Sequence, residues 1–167
     1  QGGQVTVTGD TIRLASGSSI SASGATGGGA VLVGGDWQGS GNLRQATTVN
    51  LEHGASIDVS ATAQGDGGKV VLWSNVSLPG SLTQVDGSIR AVGAGVGTVV
   101  GGQIETSGHL LGIGPNASVA AGAKGQWLLD PADVTISTST DSNYYGSSTA
   151  TPVPWPNVST TIINVGS

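Results

Sequence analysis

Cysteine is missing from all 167 residues. Neither a disulfide framework nor a thiolate metal site can therefore be built. Charge is sparse: Asp, Glu, Lys and Arg together make 9% of the chain, with a net charge of −5. The few bases, Arg13, Arg44, Lys69, Arg90 and Lys124, form no cluster, so nucleic acid is not an expected partner. No apolar run is long enough for a membrane span. Aromatic residues are only 4%, with no phenylalanine. A narrow core filled by Val, Ile, Leu and Ala needs few large rings. What abounds is glycine, at 30 residues. These glycines have no collagen period, and enough branched aliphatics remain for a core, so neither a triple helix nor a disordered chain fits.

The glycines mark a repeat. Gly-Gly pairs at 2–3, 28–29, 67–68 and 101–102 open four segments: GGQVTVTGD, GGAVLVGGD, GGKVVLWSN and GGQIETSGH. Apolar residues recur at their fourth and sixth places: Val5 and Val7, Val31 and Val33, Val70 and Leu72, then Ile104, with Thr106 as the one departure. A period of two places one face of a strand inward. A second strand is expected at Ile12 and Leu14, Val49 and Leu51, Val76 and Leu78, and Leu111 and Ile113. A third is marked by Ser19-Ile20, Ser56-Ile57, Ser88-Ile89 and Ser118-Val119. Two residues on stand Ala22, Val59, Ala91 and Ala121. Three one-faced strands per copy describe one turn of a parallel β-helix. Each strand pairs with its equivalent in the next turn, about 4.8 Å away. The expected fold is an all-β solenoid with loops outside the coil, because stacking buries a core that no single copy could bury.

The expected organisation is β-helix over 1–136, with turns starting near 2, 28, 67 and 101. Insertions leave the coil at Trp37–Ala46 (WQGSGNLRQA) and near Pro79-Gly80. Residues 137–159 are rich in Ser, Thr and Pro; with Pro152, Pro154 and Pro156 so close together they read as an extended excursion. Residues 160–167 read as the start of a further turn. Since residue 1 already sits inside a repeat, the chain is expected to be a piece of a longer one.

The fourth copy, Gly101-Gly102-Gln103-Ile104-Glu105-Thr106-Ser107-Gly108-His109, is followed by Trp127-Leu128-Leu129-Asp130-Pro131 and Val134-Thr135-Ile136. In this pairing the chain resembles the secreted exoproteins of bacterial two-partner secretion systems, the filamentous-haemagglutinin-like and high-molecular-weight adhesins. The resemblance implies a right-handed β-helix. It also implies export through an outer-membrane transporter and a place outside the cell or on the bacterial surface. Members act mainly as adhesins, and some capture haem-carrier proteins or carry toxins. The family's secretion domain is N-terminal and carries its own motif, which finds no match here. The piece is therefore expected to follow that domain or to lie later in the shaft.

Several residue sets invite a chemical reading. The ninth places of the openings hold Asp10, Asp36, Asn75 and His109; if stacked, they could hold a cation or sugar hydroxyls, but Asp and Asn also simply suit turns. The Ser19, Ser56, Ser88 and Ser118 row is expected to face solvent. An ice-binding threonine array is not expected, since Thr6 is followed by Leu32, Val71 and Glu105. His53 and His109 occupy non-equivalent places with no metal-ligand spacing. A polysaccharide-cleaving enzyme would need paired carboxylates. Asp58 should point outward, and Asp66 and Asp86 lie near corners of different copies, so no catalytic, cofactor or metal site is expected. Trp127 is expected to cover the end of the fourth turn, with Pro131 setting a corner. Aromatic residues in predicted loops, Trp37, Tyr144, Tyr145 and Trp155, are the candidates for ligand contact. Asn75, Asn116 and Asn157 each open an Asn-x-Ser glycosylation triplet.

The functional expectation is a stiff, non-enzymatic segment of a bacterial adhesin, presenting loops to a host receptor, glycan or matrix polysaccharide. The alternatives are a carbohydrate-active β-helix enzyme and capture of a host protein through residues 138–159.

Overall fold

The computed structural model describes residues 1–132. Each turn lays down three strands. The first turn holds β1 (Gln4–Val7), β2 (Thr11–Leu14) and β3 (Ser19–Ser21). The second holds β4 (Ala30–Val33), β5 (Thr48–Leu51) and β6 (Ser56–Asp58). In the third come β7 (Lys69–Trp73), β8 (Leu82–Val85) and β9 (Ser88–Arg90), and in the fourth β10 (Gln103–Gly108), β11 (Leu110–Ile113) and β12 (Ser118–Ala120). A final strand, β13 (Gln126–Pro131), adds a fifth rung to the first sheet.

Strands pair only with their equivalents in adjacent turns, always parallel. The first sheet runs β1-β4-β7-β10-β13, the second β2-β5-β8-β11 and the third β3-β6-β9-β12. This is a parallel β-helix, and its register is the one that the repeat predicts: Val5, Val31, Val70 and Ile104 are successive partners. Their column continues to Trp127. Inward residues of all three sheets merge into one core, including Val31, Leu51, Ile57, Leu72, Ile89 and Ile104, each no more than 1% exposed.

The paired glycines have a steric cause. At the corner from the third sheet into the next turn, the backbone of each opening glycine abuts a carbonyl from the end of its own turn. A Cβ on Gly2, Gly28, Gly67 or Gly101 would overlap the carbonyl oxygen of Ala22, Val59, Ala91 or Ala121 respectively. The N–H groups of Gly29 and Gly68 donate to the first two of these carbonyls at 2.8 and 2.9 Å. The carbonyl that forbids a side chain on the opening glycine of its own turn thus also accepts the N–H that closes the corner into the next turn.

One strand assignment is corrected. In the third turn the second-sheet strand is Leu82–Val85, with Thr83 and Val85 paired to Val49 and Leu51. Val76 and Leu78 lie in the loop before it: Val76 packs on a second apolar cluster, and Leu78 is exposed. Inward Thr83 is fully buried; its hydroxyl donates to the Ser107 carbonyl at 2.7 Å and lies 3.0 Å from the Ser74 hydroxyl. Thr106, the departure within the first sheet, is also buried, and its hydroxyl accepts the Trp127 indole N–H at 3.0 Å. Trp127 continues the inward column against the core, as a rung of the sheet. Residues 133–136, the excursion over 137–159 and the further turn over 160–167 lie outside the described residues.

Candidate functional site

The outward face of the first sheet is not open to solvent in the middle turns. Leu32, Val71 and Trp73 point away from the core, yet all three are buried. They form a second cluster with Trp37, Leu43 and Val76. What covers them is the insertion of the second turn. Its neck is pinned where the Ala46 N–H donates to the Gly34 carbonyl at 2.8 Å. Between those points residues 35–45 fold back along the sheet.

Loop geometry follows from its residue types. Asp36 caps a one-turn 3-10 helix, Trp37–Gly39, by accepting the Trp37 N–H at 2.7 Å. The chain then reverses through positive φ at Gln38 (53°) and Gly39 (64°), a region open to glycine and costly for most residues. Closeness to Trp73 explains the glycines further. A Cβ on Gly35 or Gly39 would lie 2.5 Å from the Trp73 ring. The indole is thus roofed by backbone, and its Nε1 has no hydrogen-bond partner.

The loop also reaches the fourth turn. Glu105 stands on β10 beside Val71 in the outward column and is fully buried. Its Oε2 accepts the Gln38 N–H at 2.8 Å, and its Oε1 lies 2.9 Å from the Ser107 hydroxyl. Burial pushes this carboxyl's pKa up. The Gln38 and Ser107 hydrogen bonds oppose that rise, while Asp130 adds to it and Lys69 opposes it. The Lys69 ammonium itself sits over the Trp37 ring, 4.9 Å from the centroid.

The residues proposed from sequence are dispersed. Trp37 is half-buried against the second cluster, with its ring engaged by Lys69. Tyr144, Tyr145 and Trp155 lie outside the described residues, as does Asn157. The column Asp10, Asp36, Asn75 and His109 does not form, because the two insertions break it. Thr47 follows Asp10, its hydroxyl donating to the Asp10 carboxylate at 2.9 Å, and the His109 N–H meets the Ser81 hydroxyl at 3.3 Å. Asn75 instead turns its own loop by accepting the Ser77 N–H at 3.0 Å. The serine row does stack, with the Ser56 hydroxyl donating to Ser19 at 3.1 Å.

The three acids weighed for catalysis each accept a backbone N–H: Asp58 from Ser60, Asp66 from Val100 and Asp86 from Asn116, at 2.8, 2.9 and 2.9 Å. The Asn116 side-chain amide also donates to Asp86. Among the described residues no group of three or more His, Cys, Asp or Glu could hold a metal ion. His53 borders a shallow groove beside the second sheet, lined also by Asn50, Glu52, Gln84, Asp86 and Pro115. No described helix is long and apolar enough to cross a membrane. Sequence reasoning missed Glu105 and Trp73, since nothing local marks them as lying beneath a loop from another turn.

Comparison with solved structures gives the likeness that bears on function. The HMW1 secretion domain from Haemophilus influenzae matches with a TM-score of 0.62 and 36% identity over 77% of this chain. The chain resembles a bacterial secretion domain. It spans 32%, about a third, of that solved chain. No family profile and no curated protein matches. The likeness falls on a secretion domain, whereas the expectation from sequence was a piece that follows such a domain or lies later in a shaft.

Proposed function

We propose that this chain is a β-helical part of a two-partner secretion exoprotein, carried out of the cell by an outer-membrane transporter and forming the root of an adhesin's shaft. Likeness to the HMW1 secretion domain carries the reading, at 36% identity over 77% of the chain. Its mechanism is geometric. Rungs that touch only their neighbours can fold one after another as the chain emerges. Every described rung offers an open ladder edge to the next until it is paired. The absence of cysteine leaves no disulfide to form or be reduced before exit.

The adhesive role proposed for the whole protein places contact with a receptor, glycan or matrix polysaccharide on loops outside the coil. Trp37, Tyr144, Tyr145 and Trp155 are the proposed aromatic contacts, and glycosylation is proposed at Asn75, Asn116 and Asn157. The full-length protein should reach the medium or the cell surface only when the transporter encoded with it is present. Retention inside the cell with the transporter, or equal export without it, would sink the reading. Deleting residues 138–159 tests the alternative of host-protein capture: export should persist, and partner binding should be lost if that segment makes the contact.

A further inference from the structure

Beneath the 35–45 loop lies an unusual combination: a buried acid with no basic partner and a buried indole N–H with no acceptor. The two ion pairs among the described residues, Arg13–Glu52 and Arg44–Asp10, leave Glu105 out. Charged groups reach it from each neighbouring element. Lys69 on β7 favours ionisation and Asp130 on β13 opposes it. On the loop itself, Asp36 is committed to the Trp37 N–H and Arg44 is paired with Asp10 of the first turn. A carboxylate without a counter-ion is poorly tolerated in a covered site, whereas the neutral acid keeps both hydrogen bonds. With a proton on Oε1 it can donate to Ser107 while Oε2 still accepts from Gln38.

The loop is built to move as a unit. Its neck is closed by the Ala46–Gly34 bond, and Gly34 and Ala46 are themselves held to the neighbouring turns through Val7 and Asn75. Positive-φ glycines stand at Gly34, Gly39 and Gly41. Its hydrogen bond to the fourth turn is the one from Gln38 to Glu105, which bridges 67 residues of sequence. Opening would hydrate the Trp73 indole N–H and bare Leu32 and Val71.

We propose that residues 35–45 form a lid that the protonated Glu105 carboxyl holds shut over the first sheet, and that the lid opens as pH rises. The sign follows from linkage. A carboxyl whose pKa is higher in the closed state than in the open one binds its proton on closing. Closure is therefore complete below the ordinary carboxylate value, about 4.3, and is lost as pH rises through the closed-state value.

Hydrogen exchange by NMR tests this, with the Gln38 amide and the Trp73 indole N–H as reporters and the Val71 amide in the ladder as internal reference. Across pH 4 to 8, reporter protection relative to an unstructured peptide should fall by up to about tenfold per pH unit within that window, while Val71 stays protected. In Glu105→Gln the fall should vanish. Lys69→Gln removes a cation that favours the carboxylate, so the fall should move to higher pH. Constant reporter protection in the parent protein, a fall that persists in Glu105→Gln, or a midpoint unmoved by Lys69→Gln would each overturn the lid.

Discussion

Replacing Gly67 with alanine should cost about 3 kcal/mol or more and lower the melting temperature by roughly 10 °C. The added methyl has nowhere to go. It would overlap the Ala91 carbonyl oxygen and lie 2.5 Å from the Gly102 nitrogen. Both obstacles are backbone, and both are tied to neighbouring rungs, since the Gly102 N–H donates to the Ala91 carbonyl at 2.7 Å. Relief would require separating the third and fourth turns at that corner. Gly3→Ala is the matched control, because a Cβ there meets nothing within 4 Å. Its effect should stay within about 0.5 kcal/mol. Equal losses in the two variants would mean that the glycines are kept for chain flexibility and not for close approach.

Ile57→Ala should destabilise the protein by about 2–5 kcal/mol in urea or thermal unfolding. Ile57 is 1% exposed, lies between Ile20 and Ile89 in the third-sheet column, and belongs to the core that runs through all the turns. Truncating it leaves a cavity that both neighbouring rungs line. Ile20→Ala, in the half-buried first rung, should cost visibly less, because only one side of that side chain is packed. In a stacked coil stability is a sum over rungs and their interfaces, so position along the axis should set the loss. A globular core would give no such gradient.

Most of the coil was legible in the sequence because a solenoid writes its contacts locally. The Gly-Gly openings, the period-two apolar places of the first sheet and the Ser-Ile rows each recur once per turn, and the strands that they mark stack in register. Reading failed where two local patterns competed. Val76 and Leu78 alternate like strand residues, but Leu82-Thr83-Gln84-Val85 takes the place because its register against Thr48–Leu51 continues the ladder. Thr83 hides this strand, since an inward threonine breaks the apolar rule until its hydroxyl is seen to bond Ser107 and meet Ser74.

The site was less legible. Thr6, Leu32, Val71 and Glu105 share one column, and its outward direction was predictable. Its burial was not, because the cover comes from residues 35–45 and the contact to Glu105 joins turns two apart. The specific ETSGH stretch thereby gains a physical account: Glu105 meets the loop, Thr106 accepts from Trp127, and the Ser107 carbonyl receives the Thr83 hydroxyl.

The absence of cysteine makes the central claim open to one clean measurement. If the turns stack as rungs, Ser19 and Ser56 face solvent as direct partners, about 4.8 Å apart and within disulfide reach. Ser19→Cys combined with Ser56→Cys should oxidise to an intramolecular disulfide without loss of stability. Ser19→Cys combined with Ser88→Cys, two rungs apart, should remain reduced under the same conditions. Cross-linking of the second pair as readily as the first, or failure of the first in folded protein, would contradict the stacked coil.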